Sequence, residues 1–179
     1  MKRFALLAVC VICFGAGAVA NALVAQSSKL TYNAEDIKAK NPKDAAKTLL
    51  DGAMQLAEDG SWERIAVGRA WYLGGDKAKG QTIFDLVTTG KKVKASDWFR
   101  LARVYEEAGE WEKAKTAFDK AIALGAGDDS GMIEYGALSN IHKDRAKAEE
   151  LFAQAMKKNP RDIWNWANAG GSYLGVRPQ

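Results

Sequence analysis

The feature that most constrains this chain is a period of 34 residues. Stepping by 34 from Gly68 lands on Ala102, Gly136 and Gly170, all small, and three positions beyond each stand Trp71, Tyr105, Ser139 and Tyr173. The same step joins Gly80 to Ala114 and Ala148, Phe84 to Phe118 and Phe152, and Val87 to Ala121 and Ala155; backwards it reaches Ala46, Leu50 and Ala53. A repeat of this length is one supersecondary unit that cannot bury its apolar face alone and does so by stacking on copies of itself. A globule with a single centre is thereby excluded.

Each period reads as two helices, because apolar residues recur at spacings of three and four. The first helices are expected around 61–74, 95–108, 129–141 and 163–174, and the second around 43–58, 77–89, 111–124 and 145–158. Gly74-Gly75, Gly109-Glu110 and His142-Lys143-Asp144 form the turns within repeats; Gly90, Gly125-Ala126-Gly127 and Asn159-Pro160 follow the second helices, where Gly closes a helix and Pro stops it. Asp44, Ser96 and Asp162 stand near helix starts, ready to accept orphan amide protons. The small residues let paired helices approach, Ala102 facing Ala114 and Gly136 facing Ala148, while Phe84, Phe118 and Phe152 fill the gap to the next pair.

Residues 98–121, with Trp98, Leu101, Ala102, Tyr105, Gly109, Ala114, Phe118 and Ala121, resemble the tetratricopeptide repeat (TPR) family pattern. The resemblance implies an all-α chain, an α-solenoid of TPR helix-turn-helix repeats, about three and a half repeats of 34 residues. It spans an array at 42–177: a half-repeat at 42–60, repeats at 61–94, 95–128 and 129–162, and a C-terminal capping helix at 163–177. Arg64 and Met132 stand where the pattern has its leading Trp, Ser139 replaces the Tyr, and only Pro160 keeps the terminal Pro. Ser139 buries little apolar area, so the first helix of the third repeat is the expected soft spot.

Proteins of this family hold peptides or partner helices in a concave groove lined by the first helices. Carried onto this chain, the groove positions implied are Trp62, Ser96, Ser130 and Trp164 (second), Ile65, Phe99 and Ile133 (fifth), Arg69, Arg103 and Ala137 (ninth), and Tyr72, Glu106 and Asn140 (twelfth). That surface is apolar and aromatic with two guanidiniums, which suits a hydrophobic segment carrying a carboxylate or backbone carbonyls. Arg69 and Arg103 have a second reading, as partners of Glu106 and neighbouring acids. Trp71, Trp98 and Trp166 fall in core columns; Trp62 and Trp164 contact the groove or cap the ends; Trp111 packs beneath an adjacent loop. His142 is expected alone and solvated in its turn.

The raw material for chemistry is thin. Both cysteines, Cys10 and Cys13, lie in the N-terminal apolar stretch and His142 is the one histidine, so no metal site, cofactor site or catalytic triad is expected. Adjacent acids such as Glu106-Glu107, Asp128-Asp129 and Glu149-Glu150 point about 100° apart on a helix and do not converge for acid-base work. The chain is read as no enzyme.

Residues 1–22 carry an address: Lys2 and Arg3, an apolar run from Phe4 to Phe14, then a small-residue tail to Ala22. Cleavage after Ala22 makes the product periplasmic; the alternative is an uncleaved anchor in the inner membrane with the body facing the periplasm, the one membrane link expected. Residues 23–41 read as a polar linker. Removing residues 1–22 leaves 24 basic and 22 acidic groups, net +2, too nearly neutral for nucleic acid to be the partner. The expectation is a non-catalytic interaction module or scaffold in the bacterial cell envelope, binding a peptide or a segment of another envelope protein in the concave groove. The alternative is a self-associating, homo-oligomeric component of an envelope complex.

Overall fold

The computed structural model describes residues 33–90, 93–125 and 128–179. The N-terminal address and residues 23–32 of the expected linker lie outside them, as do residues 91–92 and 126–127 of the inter-repeat loops. The chain divides into two compact units, residues 1–58 and 59–179, each taken by itself. Among the described residues every regular element is an α-helix.

The first unit holds α1 (Glu35–Lys38), inside the stretch expected to be linker, and α2 (Pro42–Leu56). Asn41 starts α2: its side-chain oxygen accepts from the amide of Asp44 at 3.0 Å, with Pro42 following where a missing N–H costs nothing. Asn41, not Asp44, is therefore the cap, and Asp44 sits one turn inside.

The second unit holds α3 (Ser61–Leu73), α4 (Lys77–Thr88), α5 (Ala95–Glu107), α6 (Trp111–Ala123), α7 (Asp129–Ile141), α8 (Arg145–Lys158) and α9 (Ile163–Tyr173). These ends match the periodic reading to within a residue or two. Three antiparallel pairs form, α3 with α4, α5 with α6 and α7 with α8, and α9 packs mainly on α7. Asp76, Asp128, Asp144 and Asp162 each accept an amide proton from the first turn of α4, α7, α8 and α9. Ser96 does not cap α5. Asp97 does that work, accepting the Lys94 amide at 3.0 Å and the Ser61 hydroxyl at 2.8 Å while almost wholly buried.

The turns inside the three repeats share one geometry. Asp76 N–H donates to Trp71 C=O, Glu110 to Tyr105 and Asp144 to Ser139, at 2.8–2.9 Å, closing each first helix through a left-handed residue. That residue is Gly75 (φ 102°), Gly109 (φ 75°) and, in the third repeat, Lys143 (φ 71°). After α9 the same bond runs from Val176 to Gly171, two residues ahead of the register, so the chain leaves this helix early.

The small column sets the closeness of each pair. A Cβ built on Gly68 would stand 2.5 Å from the ring of Phe84, and one on Gly136 would stand 2.7 Å from that of Phe152. Phe84 and Phe118 have no exposed surface, and Phe118 stacks on Tyr135 at 4.7 Å while meeting Phe99 edge-on at 5.6 Å. Ser139 is fully buried with its hydroxyl unpaired, so the soft spot expected from its small size is a buried polar group instead.

Candidate functional site

The face built by the first helices differs from its sequence reading at the apolar positions. Ile65, Phe99 and Ile133 retain 4, 8 and 1% of their exposure, and Tyr72 retains 2%. These side chains belong to the buried core and offer a partner no surface. Ala137 is buried as well.

Between the exposed tryptophans at its two ends, what remains on this face is mainly charge. Arg69 Nε donates to Glu107 Oε2 at 2.8 Å, and its Nη2 pairs with Oε1 of the same carboxylate. Arg103 grips Glu134 in the same two-pronged way, with Nε 2.6 Å from Oε1. Each pair ties one first helix to the next, α3 to α5 and α5 to α7. Arg69 and Glu107 are each about half exposed and Arg103 more so, while Glu134 is mostly covered. Forked guanidinium–carboxylate contacts are directional, yet half-exposed ones contribute only about 0–1 kcal/mol each, so an incoming charged segment can exchange them.

At the twelfth position the two glutamates of α5 separate, as neighbours on a helix must. Glu107 goes to Arg69, whereas Glu106, its side chain 7% exposed, lies between His142 at 3.4 Å and the guanidinium of Arg177. His142 is thus neither alone nor freely solvated: its ring stacks flat on Trp111 at 4.2 Å, which also explains Trp111 as a packing residue. Asn140 donates to Ser172 Oγ at 3.0 Å and ties α7 to α9.

The ends carry the tryptophans. Trp62 is half exposed beneath the Arg100 guanidinium, 3.4 Å from its ring centre, and Trp164 is 65% exposed. Ser96 is half-buried and Ser130 exposed. Trp166, expected in the core, is 61% exposed with its indole N–H on Pro160 C=O at 3.0 Å. Sequence reasoning missed Glu107, Glu134 and Arg177 as members of this face, since no 34-residue step links them to their partners.

A half-exposed network joins the first two repeats at Tyr72. Tyr72 donates to Glu110 Oε2 at 2.6 Å and accepts from Lys113 at 3.0 Å, and Lys77 and Lys113 both pair with Glu110. Lys113, then Lys77 and Tyr72, hold the Glu110 carboxyl at a pKa of about 2. Beside it, sharing Lys113, a cleft of about 660 Å³ opens between α4 and α6, lined by Asp85, Trp98, Tyr105, Glu112, Lys113 and Lys120. Trp98 is therefore only partly a core residue, with Lys120 Nζ 4.2 Å from its ring centre. Among the described residues no three His, Cys, Asp or Glu side chains gather to hold a metal, and no helix is long and apolar enough to cross a membrane.

Residues 95–127 match the family described as Tetratricopeptide repeat. The crystal structure of MamA superposes with a TM-score of 0.54 at 15% identity, covering 82% of this chain and 86% of that one, a likeness of fold. A segment of 81 residues is 32% identical to Transcription elongation factor B polypeptide 3 of Caenorhabditis elegans, covering 42% of this chain; the chain spans 19% of that protein's length.

Proposed function

We propose that this chain, an α-solenoid of tetratricopeptide repeats and hence a protein-interaction scaffold, holds an extended segment of a partner protein along the face of its first helices. A fold of this kind is typically a non-catalytic interaction module. The observation that carries the reading is the run of charge pairs on that face, all with exposed guanidiniums: Arg69–Glu107 and Arg103–Glu134, forked between successive first helices, and Glu106–Arg177, a single contact to the segment past the last helix. Extended polypeptide presents side chains and backbone polar groups at regular intervals, and such a run can pair with both. The address at residues 1–22 supports an envelope setting, with the partner another periplasmic or membrane-associated protein.

The test is photo-crosslinking from the exposed second positions, Trp62 and Trp164, in envelope fractions, run beside Arg69→Ala/Arg103→Ala in the same background. A crosslinked partner lost in the double variant supports the groove; a partner retained undiminished places binding elsewhere.

A second reading, self-association, rests on α9. Ile163, Trp166, Tyr173 and Leu174 are exposed, and a Cβ on Gly170 would meet nothing within 4 Å, whereas its counterparts Gly68 and Gly136 lie under phenylalanine rings. Sedimentation equilibrium separates the readings: a monomer at all concentrations removes the second.

A further inference from the structure

The run of charge pairs ends in a contact the periodic sequence does not explain. Glu106 belongs to α5, and its guanidinium partner comes from Arg177, 71 residues on and past the last helix. The chain gets there because α9 closes two residues early: Val176 N–H returns to Gly171 C=O, with Gly175 left-handed at φ 77°. The segment then folds back along α9. Val176 comes within 3.5 Å of where a Cβ on Gly171 would stand, and the Gln179 amide donates to Asn168 Oδ1 at 3.2 Å. Together with Trp164 and Ala167, these residues enclose a cavity of about 240 Å³. Trp164, Ala167 and Gly171 hold the second, fifth and ninth positions of α9, so this short extended segment lies on the first-helix face itself.

Glu106 makes that arrangement consequential. A carboxylate with 7% exposure is costly to leave without a cation, and His142 at 3.4 Å stands at the edge of hydrogen-bonding reach. Arg177 supplies the charge, yet its own side chain is 60% exposed and its segment is held by few bonds. The occupant is easily lost and the vacancy is unfavourable, which is the condition under which a site selects a replacement of the same chemistry. A guanidinium, always charged and more weakly hydrated than a lysine ammonium, is the better partner for a carboxylate covered to this degree.

We infer that Glu106 is an arginine-binding subsite of the first-helix face and that residues 174–179 are its resident occupant, displaced by an arginine-bearing extended segment of the partner. This rests on the reading of the face as the binding surface and adds the chemistry that surface selects: arginine preceded by a residue small enough to lie on Gly171.

The probe is a labelled synthetic peptide of residues 172–179, followed by fluorescence anisotropy against the full chain. Wild type, its subsite filled, binds weakly; Arg177→Ala in the full chain binds at least about tenfold more tightly, the equivalent of about 1.4 kcal/mol. The gain disappears when the peptide itself carries Arg177→Ala, and again when the protein carries Glu106→Gln with Arg177→Ala. Circular dichroism checks that last variant, and if it is misfolded the two peptides against Arg177→Ala decide alone. Exchange of the Val176 and Gln179 amides should accelerate in Arg177→Ala.

Three results overturn the inference. Equal peptide binding by wild type and Arg177→Ala means the segment is no occupant. Equal binding of the arginine and alanine peptides means the face takes segments without an arginine subsite, leaving the proposed function intact. Failure of every form to bind removes the subsite, and the crosslinking experiment then judges the face independently.

Discussion

Gly80→Ala and Gly170→Ala are the same chemical change in the two small-residue columns of the repeat and should act with opposite sign. Alanine is favoured over glycine inside a helix by about 1 kcal/mol, so on propensity alone both variants gain stability. At Gly170 nothing lies within 4 Å of the new methyl, and because the site is near the end of α9 we expect a gain of about 0.5–1 kcal/mol. At Gly80 the methyl would lie 2.7 Å from Gly68 O, 2.7 Å from Tyr72 Cβ and 2.8 Å from Tyr72 N. Carbon contacts settle near 3.5–4.0 Å, so α4 must back away from α3 by close to 1 Å. Most of the atoms in the way are backbone, so rotamer changes do not relieve the clash. Overpacking of this kind costs about 1–3 kcal/mol, and the move also loosens Phe84, which has no exposed surface. Allowing for the propensity gain, Gly80→Ala should lose up to about 2 kcal/mol. Ala114 and Ala148 fill the equivalent column without exposure, so the intolerance belongs to the close approach of the first pair and not to the repeat. Urea unfolding followed by circular dichroism and tryptophan fluorescence measures both variants. If Gly80→Ala proves as stabilising as Gly170→Ala, the packing argument for the small column is wrong.

Other expectations follow from single contacts. Phe118→Ala removes a ring with no exposed surface that Phe99 and Tyr135 both pack against, and should cost about 3–5 kcal/mol in urea unfolding. Ser139→Ala deletes a buried, unpaired hydroxyl and should raise stability by about 1 kcal/mol, where a loss would mean the hydroxyl is bonded in solution. Lys143→Gly relieves a left-handed residue at φ 71° where the other two repeats have glycine, and should gain about 1 kcal/mol. Glu110 is held at about 2, below its ordinary 4.5, so its contribution is fully present above pH 4.5 and fades as pH falls toward 2. Glu110→Gln should therefore lower the unfolding midpoint at pH 7 and flatten its fall between pH 4.5 and 2.

The helices, their pairing and the close-packed columns were legible in the sequence because they obey one short-range rule: a residue and its counterpart 34 positions on meet the same neighbours. Gly68, Ala102 and Gly136, or Phe84 and Phe118, carry their role in size alone. Caps were partly legible, since an Asp before a helix reads directly, as at Asp162; Asn41 and Asp97 were missed because several polar residues competed for each start. The binding face was less so. Whether Ile65, Phe99 and Ile133 face a groove or are sealed depends on how far adjacent first helices stand apart, a distance set by packing and encoded in no single residue. Trp166 shares a column with the half-buried Trp98 and is nevertheless exposed, because a column is buried only where a second helix lies across it. The charges follow the same logic at longer range. Arg69, Arg103 and Glu106 were visible as charges, but Glu107, Glu134 and Arg177 become their partners only once the helices are stacked. The sequence by itself determined a stack of paired helices; only the tertiary structure decided which side chains that stack leaves open to a partner, because exposure is a property of neighbours and periodicity names the neighbours only within a repeat and its immediate copy.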